Sequence, residues 1–211
     1  MTRSSARASI LAPIAVLALS CAGCTTYGTQ NPLPEATRIP TPDLRGVWLA
    51  KVPRDAQNPD DPSEGIIVVN GRPLDANGCQ TVRVQLLDGN GSAGDDWDDR
   101  DPYSEDWTWC AHRIGEFTVI EQHPVADAAQ PFQHALLSTR GPTVRWCYID
   151  DQLVDFAPPS AQRPDSGMQH ILTLSSDELA GLLSTHSSEL KRHFRKDCGV
   201  ELRRVIPQPR R

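Results

Sequence analysis

The chain lacks the short motifs that usually mark a catalytic activity. It has no Gly-x-Ser-x-Gly elbow, no phosphate-binding loop and no dinucleotide fingerprint. Its histidines, at positions 112, 123, 134, 170, 186 and 193, form no His-x-x-x-His or His-Glu-x-x-His pair. An enzyme can do without such motifs, so an envelope enzyme stays as the third of three functional readings. Positive charge is in the minority, with 21 basic against 27 acidic side chains. That balance argues against nucleic acid as a partner. No repeat of fixed period runs through the sequence. One uncharged apolar run is present, Ala8 to Ser20, and it is too short to span a bilayer, which takes roughly 20 apolar residues.

That run sits between the basic Arg3 and Arg7 and the small-residue stretch Ser20-Cys21-Ala22-Gly23-Cys24. The order of positive, apolar and small segments is that of a cleaved secretory signal. Ala22-Gly23-Cys24 resembles the lipobox of bacterial lipoproteins, in which the cysteine receives diacylglyceryl and becomes the mature N-terminus. Cys21 is the alternative lipidation site, with Leu19 one place late for the usual pattern. The resemblance implies residues 1–23 as signal peptide and a palmitate-type anchor on Cys24. It also implies an envelope address, with Thr25 after the cysteine pointing to the outer membrane, facing the periplasm, in a Gram-negative cell.

Cysteine parity bears on the choice between the two sites. Cleavage before Cys24 leaves Cys79, Cys110, Cys147 and Cys198, an even set suited to an oxidising compartment. Cleavage before Cys21 leaves an odd one. The gaps between the four are 31, 37 and 51 residues, with no close pair for a metal site. Structural disulfides are therefore expected. Sequence does not choose among the three connectivities, although Cys110 and Cys147 both lie in strand-like segments. Removal of the signal takes away two arginines and brings the formal charge from −6 to −8.

Residues 24–43 carry Pro32, Pro34, Pro40 and Pro42 with no apolar period. They read as an acylated cysteine followed by a Pro-rich tether, whose ~20 residues would reach ~25–60 Å. A single domain is expected over residues 44–207, with a basic tail at 208–211. Within it, Gly46 to Ala50 reads as a strand, and Ile66 to Val69 as another ending in an Asn70-Gly71 turn. Thr81 to Leu87 alternates apolar and polar residues as a half-buried strand does. Trp107 to Trp109 and Glu116 to Ile120 follow, with a bend at Gly115. Ala135 to Thr139 and Thr143 to Ile149 flank a turn at Arg140-Gly141-Pro142. Leu153 to Phe156 reads as the far arm of a hairpin through Asp150-Asp151, and His170 to Leu174 as a further strand.

One helix is signalled from Ser175, where Ser175 and Glu178 fit a capping box. Leu179, Leu182, Leu183, His186, Leu190 and Phe194 lie along one face, and the helix closes at Gly199. Val200 to Ile206 is a last strand. The expected class is α+β, mainly antiparallel β as a meander sheet or small barrel, with one C-terminal amphipathic helix before the last strand. The Gly46-Val47-Trp48 start and the strands–helix–strand finish are similar to those of lipocalins. That resemblance implies an eight-stranded barrel carrying a small apolar ligand, with Val82, Val84, Leu86, Val144 and Trp146 facing inward.

Residues 88–106 are the most acidic stretch. Asp88, Asn90, Ser92, Asp96 and Asp99 match the ligand positions of an EF-hand-like calcium loop. Ala93 stands where the turn glycine belongs and Asp99 where a bidentate Glu belongs, so a solvated loop is the weightier reading. The same loop could present Trp97, Tyr103 and Trp107 to a partner. No cofactor is expected beyond that calcium candidate. Lys191, Arg192, Arg195 and Lys196 crowd one helix end, which a solvated face explains. The leading functional expectation is a non-enzymatic envelope lipoprotein that binds a protein partner, by analogy with periplasmic inhibitors and immunity proteins.

Overall fold

Alternation in the strand segments places every second side chain on one face, and that face closes on itself. The computed structural model describes residues 26–51, 64–87, 106–127, 129–164, 169–196 and 200–205. Twelve strands and three α-helices lie within them. In chain order, β1 is Thr26–Thr29, β2 Arg38–Ile39, β3 Gly46–Lys51, β4 Glu64–Gly71, β5 Gln80–Leu87 and β6 Asp106–Ile114. They are followed by β7 Phe117–Pro124, β8 Gln133–Arg140, β9 Thr143–Tyr148, β10 Gln162–Pro164, β11 Gln169–Leu172 and β12 Val200–Arg204. Strands β3 to β9 pair as an antiparallel meander, and β12 bridges β9 back to β3. The result is a closed eight-stranded barrel, so these strands leave no open edge.

Register sets the interior. Trp48 faces Ile67, Val69 faces Val84, Ala111 faces Ile120, Leu137 faces Trp146, and Leu202 joins Val144 to Ala50. These side chains form one buried cluster with Val82 and Trp109. One barrel end is closed by Arg204, whose guanidinium lies 4.8 Å from the centre of the Trp48 ring. Arg204 Nη2 also donates to the carbonyls of Asp43 and Arg45, and Trp48 Nε1 donates to Leu44 O at 2.8 Å. The barrel is the small-barrel form of the expected fold class.

A second apolar cluster lies outside the barrel wall. Helices α1 Asp150–Phe156, α2 Ser176–Thr185 and α3 Ser187–Lys196 contribute to it, together with the outward faces of β6 to β9. It buries Leu33, Val119, Leu136, Cys147, Ile149, Leu153, Leu172, Leu179, Leu183 and Leu190. Beside the helices lies a small sheet in which β1 runs parallel to β11, and β11 antiparallel to β10.

Several local expectations change. Residues 26–43 are not a free tether. They strap the barrel, with Leu33, Thr29 and Thr41 buried. Backbone bonds of 2.9 Å join Thr29 to Phe132 in both directions, and Thr41 Oγ1 accepts from Ala111 N. Strand β2 pairs with β6 at His112 and Ala111, where β5 has already left it. A few polar and apolar anchors between prolines suffice to dock this segment, and no regular period is needed. Leu153 to Phe156 belongs to α1 and not to a hairpin. Ile149, Leu153 and Ala157 are buried at four-residue spacing, and Asp150 and Asp151 lie in the first turn, where negative charge suits the helix dipole.

The Asn70-Gly71 turn is absent, because β4 runs through both residues. The chain reverses instead over Asp75–Gly78, where Asp75 Oδ1 accepts from the backbone of Asn77 and Cys79 and Gly78 has φ +77°. Gly71 is needed for close approach: a Cβ there would lie 2.9 Å from Thr81 O. The single C-terminal helix is two, interrupted at His186. Thr185, His186, Ser187 and Ser188 are weak helix formers, and serines favour caps. The Ser175–Glu178 capping box is present as expected.

Candidate functional site

Four ionisable side chains meet on the outer barrel wall beneath the strap and α1. His112 on β6, Glu121 on β7 and His134 on β8 all face outward, and Asp150 opens α1. All four are buried. Asp150 grips His134 twice, from His134 N at 2.8 Å and from Nδ1 at 2.9 Å. Nε2 of His134 and Nε2 of His112 each lie 3.8 Å from a different oxygen of Glu121. Glu121 also accepts the backbone N–H of Leu33, which fixes the strap. Thr37 Oγ1 donates to Pro34 O at 2.7 Å, so it accepts from Nδ1 of His112 at 2.9 Å. That assigns the His112 proton to Nδ1 and leaves its Nε2 bare.

Burial pushes His134 towards its neutral form, but the adjoining Asp150 and Glu121 carboxylates outweigh this and raise it to about 9. Burial holds His112 below the usual histidine value. Burial favours the neutral form of Glu121 as well, yet His134 and the Leu33 N–H bring its carboxyl below the ordinary range. Burial raises the Asp150 carboxyl above its ordinary value, against the lowering effect of His134. The cluster thus holds His134 between two acidic side chains, with His112 beside it. Perturbed groups of this kind are a mark of active sites when they line a cleft. Here His112 and His134 have no exposed surface, and the network instead ties strap, barrel wall and α1 together. Among the described residues no group of three His, Cys, Asp or Glu is arranged to hold a metal ion.

Inside the barrel, Trp48, Trp109, Trp146, Tyr148, Val84 and Leu202 surround a cavity of about 30 Å³. The rings of Trp109 and Trp146 lie tilted against each other, with their centres 5.0 Å apart. Tyr148 donates to Gln122 Oε1 at 3.2 Å, and Trp109 Nε1 is buried with no hydrogen-bond partner among the described residues.

No protein-family model matches the chain, and no curated protein or solved structure is significantly similar to it.

The third feature is the half of the barrel that the helices and strap leave uncovered. On the outer face of β3 and β4, Val47 stands opposite Val68 and Leu49 opposite Ile66. Val205 joins them, its N–H donating to Val47 O. Val47, Leu49 and Val205 are 39%, 37% and 45% exposed, high for apolar side chains in cross-strand register. Exposed Lys51, Arg203 and Glu201 flank the group.

Of the residues singled out from sequence, Cys79 and Cys110 form a disulfide, and Cys147 is also disulfide-bonded. Cys110 and Cys147, although both are on strands, are therefore not paired with each other. Cys79 immediately precedes β5, whose Gln80 pairs with Trp109 on β6, so the two cysteines lie side by side. Cys198, Cys21, Cys24 and the calcium-loop candidates Asp88, Asn90, Ser92, Asp96 and Asp99 lie outside the described residues. Val82, Val84, Val144 and Trp146 line or pack the interior as expected. Trp107 belongs to that core. His186 stacks on Phe156 at 4.2 Å. Lys191 pairs with Glu116 at 2.7 Å, a local use for one of the helix-end cations.

The ionisable cluster was missed because its members are 9, 13 and 16 residues apart. A signal was present, however. Val119, Glu121 and His123 share one strand face, and a carboxylate amid apolar neighbours calls for a partner.

Proposed function

We propose that the protein is a lipid-anchored envelope protein whose barrel is a non-enzymatic, protein-binding module. The observation that carries this reading is the apolar group Val47, Leu49, Ile66, Val68 and Val205 on the uncovered outer face. Apolar side chains in contiguous register on a soluble surface mark interaction sites. The opposite wall buries the same kind of side chain under helices and strap, so among the described residues the bare half is the exception within one barrel. The lipobox-like Cys24, with Cys21 as the alternative, supports the anchor. An even set of cysteines after cleavage, one bridge of which is Cys79–Cys110, supports an oxidising compartment such as the periplasm. The sealed ionisable cluster offers no substrate access and serves as internal fastening.

The test uses the full chain and a Val47→Asp/Leu49→Asp variant with the same thermal unfolding midpoint. Purified from crosslinked envelopes, the wild type should carry a defined protein partner that the variant loses by at least tenfold. Equal recovery by both would reject this face as the binding site.

A second reading, a carrier of a small apolar ligand, draws on the Trp-lined closed barrel. Its cavity of about 30 Å³ has room for one water and not for a ligand of several carbons. Tryptophan fluorescence should therefore stay unchanged on titration with medium-chain fatty acids, and a saturable change would revive the carrier reading.

A further inference from the structure

We propose that the docked strap lays the barrel directly on the phospholipid surface, with the N-terminal end of the β1–β11 ribbon at the headgroups and the apolar β3–β4 face turned away from the membrane. This rests on the lipid anchor proposed above and adds to it a distance and an orientation.

The distance follows from chain length. Thr26 already pairs with Gln169, and the register continues to Thr29 with Leu172. Only Thr25 separates Thr26 from Cys24. Two residue steps at full extension span about 7 Å. Were Cys21 the anchor, five steps would span about 18 Å. The ~20 residues that a tether would have used are spent on the barrel wall, through the Thr29–Phe132 bonds, buried Leu33, the Thr37–His112 contact and the Thr41 bridge to β6. No length is left for the domain to stand off.

The orientation follows from the strand order. Strand β1 is bonded to Phe132, the residue before β8. Around the ring β3-β4-β5-β6-β7-β8-β9-β12, β4 is four strands from β8 in either direction. The anchor side and the bare apolar side are therefore diametrically opposed. The chemistry at the anchored end suits a headgroup layer. Tyr27 stacks on exposed His170 at 5.1 Å, and Arg163 is exposed on the neighbouring strand. Amphipathic aromatic rings and cations favour that layer.

The lipidated full chain, reconstituted in supported bilayers of phosphatidylethanolamine and phosphatidylglycerol, tests this by neutron reflectometry. The comparison chain carries 20 Gly/Ser residues inserted between Thr25 and Thr26. The wild type should show a water layer no thicker than about 10 Å between headgroups and protein, and the insertion one near ~25 Å, as a flexible linker of that length spans. A fluorescent amino acid at position 170 should transfer energy to a headgroup acceptor several-fold more efficiently than one at position 68. A wild-type gap equal to that of the insertion chain, or equal transfer from both positions, overturns the proposal. Mass spectrometry of the same preparation separates this from failure of the anchor. An unacylated N-terminus overturns the anchor and the placement together, and acylation with a wide gap overturns the placement alone.

Discussion

His134 is buried between two carboxylates, and its proton links the barrel wall to α1. Its titration is raised from 6.5 to about 9 by Asp150 and Glu121, against the effect of burial. The unfolded chain takes up that proton near the ordinary value, so the stabilisation is complete below pH 6.5 and drains away as pH rises to 9. Glu121 works in the other direction. Its carboxyl is held below the ordinary range, so its contribution is present above that range and is lost as pH falls through it. Urea midpoints should therefore fall on both sides of neutrality, and a midpoint unchanged from pH 6.5 to 9 would contradict the assignment. His134→Gln should flatten the alkaline fall and cost about 3–5 kcal/mol, since it leaves buried carboxylates unpaired.

Arg204 offers a simpler case. Its guanidinium covers Trp48 and caps two carbonyls of the Asp43–Arg45 turn. Arg204→Ala should cost about 1–3 kcal/mol from the lost cation–π contact and hydrogen bonds, while Arg204→Lys should recover only part of it. Thermal unfolding of the two variants would show the order.

Among the elements, the strap decides how the molecule is fastened. Leu33→Ala removes a buried anchor and should cost about 2–4 kcal/mol. It should also raise the rate of proteolysis within residues 26–43 without changing cleavage elsewhere. Removal of the Cys79–Cys110 bridge, which spans 31 residues, by a Cys79→Ala/Cys110→Ala double substitution should lower stability by ~2–4 kcal/mol in thermal unfolding.

Strap and helices also show where sequence reading succeeds. Thr81 to Leu87 was legible because period-two alternation has one structural meaning when one face is buried. The Ser175–Glu178 box was legible because capping is local chemistry. The strap was not legible. Its order comes from Glu121, His112 and Trp109, which lie more than 60 residues away, and its prolines mimic a linker. Helix α1 was misread because seven residues hold too few turns to separate a helical period from a short strand. The cluster around Glu121 needed the register of β6, β7 and β8 before its members could be seen together, although a lone carboxylate beside Val119 and Ile120 already asked for a partner.

At the scale of the whole molecule, the described residues clothe the barrel on one side and leave it bare on the other. Helices, strap and small sheet cover β6 to β9, and the apolar stripe lies across β12, β3 and β4. A fold stabilised by its own interior would tolerate polar residues on that outer face, as the second residue of each alternating pair usually is. Val47, Leu49, Ile66, Val68 and Val205 depart from this together, and they do so in register. In the proposed placement, the anchor would hold the clothed side to the membrane and leave the stripe accessible to envelope proteins. The barrel interior is occupied by its own tryptophans, and under the proposed reading specificity would lie on the surface.

The most direct test of that claim is site-specific photocrosslinking in intact envelopes. A photoreactive amino acid is placed in turn at positions 47, 49 and 68, and at the exposed Arg113 on the clothed side. One discrete protein adduct is expected, shared by the first three positions, absent at position 113 and abolished when Val205→Asp is added. No adduct at the three stripe positions, or the same adduct at position 113, would contradict it.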